Sequence, residues 1–404
     1  MEKSKIRILY RRKRAQNIHN RRKTQNKDIT PSKSSSKYRW GCLFMAIHIE
    51  NLQINRYRGI KNLQIANLGK INIIVGGNNS GKTSTLEAIQ LLCTPNKYDL
   101  IRLARQRENY RSSLKGMGTL DSFLYLFDAK EKNKVYSLNI AGKICGELNR
   151  VSVTGELVEQ LVDPGELEER NPFTIDSQTI EYQEEVQTFV GYMESSLLKS
   201  KINLDINKYS RLIGNATRFK LLETAFVRVV EHIIHDPVSN LIREKRVKEE
   251  AVQLLKIFDD TVTDIRYVKD DRSYFAMISS SDGGEIPLSA YGDGMKKALT
   301  ILNAMMRAKE GVVLIDEFET ALHTAAMRQV FKFILEISKQ LNIQLFLTTH
   351  NIEALDKLLE CAETSISDVR VIRLRKKADR TFASVIEGQE ALEERKEYNM
   401  ELRV

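Results

Sequence analysis

The chain has 404 residues, 42% of them hydrophobic and 29% charged, with a formal net charge of +10; this allows a sizeable core and reads as a soluble globular protein. No apolar run approaches the ~18 residues of a membrane helix. Neither is there the apolar stretch of a secretory signal, so a cytoplasmic protein is expected. Four scattered cysteines (Cys42, Cys93, Cys145, Cys361) form no CxxC pair, and neither a zinc site nor a disulfide framework is expected.

The charge is unevenly spread. Residues 1–44 carry 14 lysines and arginines against two acids, Glu2 and Asp28, leaving 49 bases and 51 acids for the rest. The basic character belongs to a tail without helical or strand period, for which disorder is expected. Three readings of it stand side by side: a nucleic-acid arm, an Arg- and Ser-bearing transit peptide, or a stretch upstream of a working start at Met45.

In chain order, "IHIENLQINRYRGIKNLQIANL" alternates apolar and polar residues and turns at Arg58–Gly59, as a hairpin does. "KINIIVGG", 70–77, is a continuous apolar strand, and "KTSTLEAIQLL" places Leu86, Ile89 and Leu92 on one helical face. From about 96 to 130 the pattern is helical but broken. Between 134 and 183 short strands are expected in "KVYSLNI", "RVSVTGELV" and "TIEYQ", and 186–260 reads as mostly helical. "DIRYVKDDRSYFAMISS", 264–280, is a second hairpin. "GVVLIDEFE" is an apolar strand ending in acids, a helix follows from about 324 to 340, and "IQLFLTTH" is a strand ending in His350. "DVRVIRL" and "FASVIEG" make a closing hairpin before a short charged helix. No heptad run is long enough for a coiled-coil arm. The expected division is a tail 1–44, an N-terminal lobe 45–95, an inserted strand and helical region 96–262, a C-terminal lobe 263–365 and a closing segment 366–404.

The chemistry starts at "GGNNSGKT", Gly76 to Thr83, which fits G-x-x-x-x-G-K-[ST] between a buried strand and a helix. A loop that wraps phosphate oxygens excludes side-chain bulk at Gly76 and Gly81. Lys82 supplies a point charge to the β- and γ-phosphates and Thr83 a hydroxyl to Mg²⁺. Gly77, Asn78, Asn79, Ser80 and Ser84 complete the cradle, and ATP with Mg²⁺ is the implied cofactor pair; the bland alternative is a plain glycine turn. "VVLIDEFE" delivers Asp316 at the C-terminal end of a buried strand, where open α/β sheets place ligands. Asp316 can hold Mg²⁺ through water, and Glu317 can polarise an attacking water; the bland alternative is a solvated acidic turn. Glu319 has no assigned role. His350 lies where a γ-phosphate sensor is expected, with His323 at the edge of the same site.

A second glycine-bearing stretch, "EIPLSAYGDGMKKALTIL", places Gly292 and Gly294 just before a helix, where backbone N–H groups close on anions. One nucleotide cannot easily use both loops from one face. Ser289, Gly292 and Gly294 are therefore expected to close on the γ-phosphate held by a second copy in a C₂ dimer, with Lys296 and Lys297 adding positive charge.

Taken in order, "GGNNSGKT", "LSAYGDGMKKAL", "VVLIDEFETALH" and "LFLTTHN" resemble the ABC-type ATPase heads of the SMC/RecF/OLD group, above all the compact bacterial "AAA family ATPases". The resemblance covers roughly 46–360, strongly at the motifs and weakly from 96 to 250. It implies an α/β P-loop NTPase fold with an antiparallel β subdomain and a helical insertion. It carries family roles to Lys82 and Thr83 (phosphate and Mg²⁺), Ser289 and Gly294 (signature loop), Asp316 (Mg²⁺), Glu317 (catalytic base) and His350 (switch). "RYRGI" resembles the arginine-bearing early strand of the group, so Arg58 either reaches the nucleotide or is a surface arginine. The signature departs from the transporter form LSGGQ, and Gln90, on the P-loop helix, is expected to be structural. About 45 residues follow the ATPase strands, too few for the Toprim nuclease domain of OLD proteins, and "EHIIH" reads as an ordinary helix. The resemblance implies an ATP-bound homodimer that controls a separately encoded effector, frequently a Toprim-type nuclease in phage defence. A RecF-like, ATP-gated DNA-binding protein in repair is the alternative, and a nucleotide-binding scaffold with negligible hydrolysis a third. No membrane partner is expected.

Overall fold

The structure, a computed structural model, describes residues 47–105, 117–128, 135–162, 184–210, 220–234, 237–269, 274–398 and 400–402. The basic tail, the strand expected at "TIEYQ" and His235 of "EHIIH" lie outside them. The described residues belong to one compact unit. Its first elements are β1 Ile49–Tyr57, β2 Ile60–Ile65, β3 Ile71–Val75, α1 Lys82–Cys93, α2 Lys97–Arg105 and α3 Thr119–Leu124. Then come β4 Val135–Ile144, β5 Glu147–Val162, β6 Glu184–Ser195, β7 Ser200–Asn207, β8 Thr224–Val227, α4 Glu231–Ile234, α5 Val238–Leu241 and α6 Lys245–Lys256. The remainder is β9 Val262–Lys269, β10 Tyr274–Ser280, β11 Glu285–Pro287, α7 Asp293–Arg307, β12 Val312–Ile315, α8 Thr324–Gln340, β13 Gln344–Thr348, α9 Ile352–Cys361, β14 Val369–Lys377, β15 Arg380–Glu387 and α10 Gly388–Tyr398.

The central sheet has the order β15-β14-β3-β13-β12-β8. All its pairings are parallel except β14 with β15. Strands β3, β12 and β13 are buried at every position, as their continuous apolar runs require of a sheet covered on both faces. Alternate side chains serve two cores. Ile71, Ile73, Val75, Val313, Ile315, Leu345 and Leu347 pack with Leu299 of α7, Val330 of α8 and Leu355 of α9. Ile74, Leu314 and Phe346 pack with Leu86 and Ile89 of α1 and with the antiparallel sheet β2-β1-β4-β5-β6-β7. A small sheet, β11-β10-β9, adds Ile265 and Ile278 to the first core.

One buried amide joins the two large sheets. Gln344, at the start of β13, is 0% exposed. Its Oε1 accepts from the backbone N–H groups of His48 and Ile49 at 3.1 and 2.8 Å. Its Nε2 donates to the carbonyls of Ile49 and Gly69 at 2.9 and 2.8 Å. All its hydrogen-bonding capacity is thus spent on buried backbone.

The mostly helical reading of 186–260 is corrected. Residues 184–195 and 200–207 are strands of the antiparallel sheet, and 224–227 is the edge strand of the central one. The cause is visible in β6, where Val186, Phe189, Val190 and Met193 fall at the i, i+3, i+4, i+7 spacing of a helix. Alternation fails there because Gly155 and Gly191 face each other across β5 and β6 and the Phe189 ring occupies the space their missing side chains leave. A Cβ on Gly155 would stand 2.5 Å from Phe189 Cζ. The same ring packs with Phe123, Phe127 and Tyr136. The cysteine reading also needs correction: Cys93 and Cys361 are free, but Cys145 is disulfide-bonded, because sequence spacing does not reveal which cysteines the chain brings together. Among the described residues no helix is long and apolar enough to cross a membrane.

Replacing Gln344 by leucine removes these four hydrogen bonds from buried backbone, with the Gly69 carbonyl still held by Asn72 Nδ2 at 2.7 Å. We predict a loss of about 2–4 kcal/mol of unfolding free energy, measured by urea denaturation, with far-UV circular dichroism retained.

Candidate functional site

The three central strands end side by side, and the first residues beyond each end form the site. After β3 the chain turns through Gly76, at φ 150°, where a Cβ would lie 2.5 Å from the Leu374 carbonyl oxygen. It enters α1 through Gly81 in the left-handed region, φ 100°. Only glycine meets both demands without strain. The positive end of α1 thereby opens onto the cleft that the loop encloses, the arrangement that favours an anion.

That cleft, about 420 Å³, is lined by Arg58, Gly59, Ile60, Asn78, Asn79, Ser80, Gly81, Lys82, Thr83, Ser84, Asp316, Glu317 and Lys376. Lys82 Nζ donates to the carbonyls of Gly76 and Gly77 at 2.8 and 3.1 Å. Burial lowers its pKa below the ordinary lysine value, against the pull of Asp316, Glu317 and Glu319.

Thr83 and Asp316 are 233 positions apart, yet Thr83 Oγ1 donates to the Asp316 carboxylate at 2.9 Å. Thr348, the last residue of β13, holds the same carboxylate at 2.6 Å through its hydroxyl, which also accepts the Glu317 N–H at 2.8 Å. Thr83 and Asp316 are hard oxygen donors, and a Mg²⁺ that shares its shell with phosphates needs few more from protein. Among the described residues no group of three or more His, Cys, Asp or Glu side chains could hold a metal alone.

Glu317 sits at φ 45°, a conformation that costs a non-glycine residue on the order of 1 kcal/mol. Its carboxylate lies 3.5 Å from His350 Nδ1, whose other acidic neighbour, Glu319, is 3.7 Å away. Glu319 is buried and accepts from Thr349 Oγ1 at 2.6 Å. His350 itself is exposed, fixed between β13 and α9, whose first turn is capped by Asn351. His323 has a structural use: its Nδ1 accepts the Ala325 N–H at the start of α8.

Three expectations change. Arg58 lines the cleft, but its guanidinium points inward. Nε donates to Glu87 Oε2 at 2.7 Å and Nη2 to the Leu103 carbonyl at 3.0 Å. With 9% of its side chain exposed, it is not a surface arginine; it braces α1 against the β1–β2 turn. Lys297 adds no charge to the surface. It is 0% exposed, with Nζ 3.3 and 3.5 Å from the carbonyls of Arg228 and Val229. Lys296 pairs with Asp293 at 3.2 Å.

Gly294, finally, does not precede the helix: α7 starts at Asp293 with Gly292 as its N-cap, so Gly294 lies in the first turn, and Ser289 is exposed in the 3-10 turn before it. The two glycines differ. Nothing lies within 4 Å of a Cβ on Gly292, whereas one on Gly294 would stand 2.8 Å from the Ala321 carbonyl oxygen. Gly292 is open; Gly294 lets α7 touch the loop that follows the acids. Ser289 lines a different depression, with His232, Tyr274, Phe275 and Lys296.

Sequence reasoning missed Thr348 and Lys376. The first sits in "LFLTTH" without a motif to mark it. The second reaches the cleft only because β14 pairs with β3, which a hairpin pattern cannot disclose.

Burial pushes the Lys297 ammonium down from 10.5 to about 8, against the pull of Asp316, Glu319, Glu317 and Glu231. Between these values the unfolded chain keeps the proton that the folded chain has released, so stability rises with pH. We predict that wild type gains on Lys297→Met by an amount on the order of 2 kcal/mol between pH 7 and pH 9.5, which covers the lower part of that window. Urea unfolding at the two pH values measures it; a falling difference is the contrary result.

Comparison with known proteins supplies the family. Residues 71–356 match the model described as "AAA domain, putative AbiEii toxin, Type IV TA system". A Helicobacter pylori protein named "ATP/GTP phosphatase" is 24% identical over 331 residues, 77% of this chain and 88% of that one. "DNA replication and repair protein RecF" of Acinetobacter baumannii is 24% identical over 344 residues, 75% and 91% of the two chains. The SMC head domain of Thermotoga maritima aligns over 84% of this chain and 100% of its own, at 14% identity and a TM-score of 0.44. The family match runs from the strand before the phosphate loop to the helix after His350, and the chain belongs to this AAA-domain family.

Proposed function

We propose that the protein hydrolyses ATP with Mg²⁺ and that two copies close around two nucleotides. The observation that carries this is the contact between Thr83 and Asp316, which unites the phosphate loop and the acidic strand around one cleft. In this reading Lys82 and the loop amides hold the β- and γ-phosphates, and Thr83 and Asp316 hold the metal, which supplies charge neutralisation at the phosphates. Glu317, kept in place by Thr348, orients and deprotonates the attacking water, with His350 sensing the γ-phosphate. The region 96–262 lies between the two ATPase lobes in sequence and lends β8 to the sheet they share.

The second copy enters because Ser289 and Asp293, on either side of the open Gly292, line a different depression from the Lys82 cleft. An exposed helix start with free backbone N–H groups is suited to a phosphate presented by a partner. We further infer that nucleotide-driven closure controls a separately encoded effector, a Toprim-type nuclease in phage defence being the leading case. The toxin–antitoxin wording of the family description supports a role of this kind.

A second reading, ATP-gated DNA binding, is favoured by one feature. Arg375, Lys376, Lys377 and Arg380 are exposed together at the β14–β15 turn, beside the cleft that Lys376 lines.

Two experiments separate these readings. Glu317→Gln is expected to slow phosphate release by about 10²-fold or more and to accumulate an ATP-bound dimer in light scattering; near-wild-type turnover without a dimer overturns the mechanism. Duplex DNA binding that weakens with salt, and whose salt slope falls by about one per charge in Arg375→Gln/Lys377→Gln, establishes the DNA reading. Unchanged or undetectable binding dismisses it.

A further inference from the structure

The far end of the phosphate-loop helix borders a cleft that shares no residue with the nucleotide site. It is about 300 Å³, at the lower end of the range of small-molecule pockets, and lies between α1, α2, β8 and α7. Gln90, on α1, is eight residues from Lys82, roughly 12 Å along the helix axis.

Its lining is polar and incompletely paired. Gln90 is 2% exposed, and its Oε1 has no hydrogen-bond partner. Arg102 pairs with Asp99 through Nη2 at 2.9 Å, while its buried Nε has no partner. Thr94 and Thr300, both buried, spend their hydroxyl protons on their own helices, bonding Gln90 O and Lys296 O. Arg307 and Lys220 are exposed at the cleft. The two acids of the lining are engaged, Asp99 with Arg102 and Asn96, Glu231 with Arg228 at 2.8 Å.

Charge and polarity therefore run from a cationic opening to a neutral acceptor at depth. We propose that this cleft is a second ligand site, for a compact oxyanion that also carries a hydroxyl. Arg102 and Arg307 take the oxyanion through charge-assisted hydrogen bonds, and the hydroxyl donates to Gln90 Oε1. Because the lining comes both from α1 and from α7, the ligand touches the two helices whose N-terminal ends carry Lys82 and Gly292. Occupancy that alters their packing changes nucleotide affinity, and the effect is reciprocal.

The test is calorimetric titration of the full chain saturated with Mg-ADP, so that the phosphate loop cannot take the probe. Glycerol 3-phosphate, malate and inorganic phosphate separate a hydroxylated phosphate, a hydroxylated carboxylate and a bare oxyanion. Saturable binding of a hydroxylated probe, tighter than inorganic phosphate and weakened about tenfold or more by Arg307→Ala and by Gln90→Leu, is the expected result. Arg307 is exposed, so its variant keeps the fold whatever Gln90→Leu does. No saturable heat from any probe, or binding that Arg307→Ala leaves unchanged, overturns the proposal.

Discussion

The site depends on the parallel register of β3, β13 and β12. Leu347 stands opposite both Ile73 and Ile315, so the three strands run in register and end within two residues of one another. Gly76, Thr349 and Asp316, the residues next in line, emerge at one edge of the sheet. The register is specified strongly because both faces are buried: a slip by one residue would exchange the side chains of the two cores. Hydroxyls then finish what register begins. Thr348 links strand end to strand end, holding Asp316 by its side chain and Glu317 by its backbone.

How much of this is legible in a sequence follows from distance along the chain. The phosphate loop is contiguous, and its glycines, lysine and threonine announce themselves within eight residues. The positions of Asp316 and Glu317 at a strand end are legible from the apolar run before them, and that of His350 from a strand that closes in two threonines. What escapes are residues whose role is set by an unmarked partner. Arg58 looks like a free cation until α1 places Glu87 beneath it, and Lys297 looks like half of a surface pair until helical geometry turns it inward. Strand β6 reads as helix because Phe189 fills space above a glycine pair that lies in part on another strand. Local patterns report the period of one element; these positions report the fit between two.

Helix α7 is tied to the acids of its own copy at two points. Gly294 meets the Ala321 carbonyl, in the loop beyond Glu317, and Lys297 reaches the carbonyls that follow β8. Asp316 N–H donates to the carbonyl of Val227, the last residue of β8. A displacement of the helix start is therefore passed to the backbone on either side of the acidic strand. Within one chain, the start of α7 and the acidic strand are mechanically continuous.

The paired glycines of β5 and β6 bear on a different matter, the identity of the antiparallel sheet. Their Cα atoms approach so closely that a Cβ on Gly191 would stand 2.7 Å from Gly155 Cα, and one aromatic ring roofs the gap. Sliding one strand past the other would bring branched or bulky neighbours beneath that roof and drive the ring out of its aromatic cluster. The ring and its two bare backbones behave as a dowel: they fit in one alignment, and so fix the hydrogen-bond ladder of a long hairpin whose own alternation leaves it under-determined.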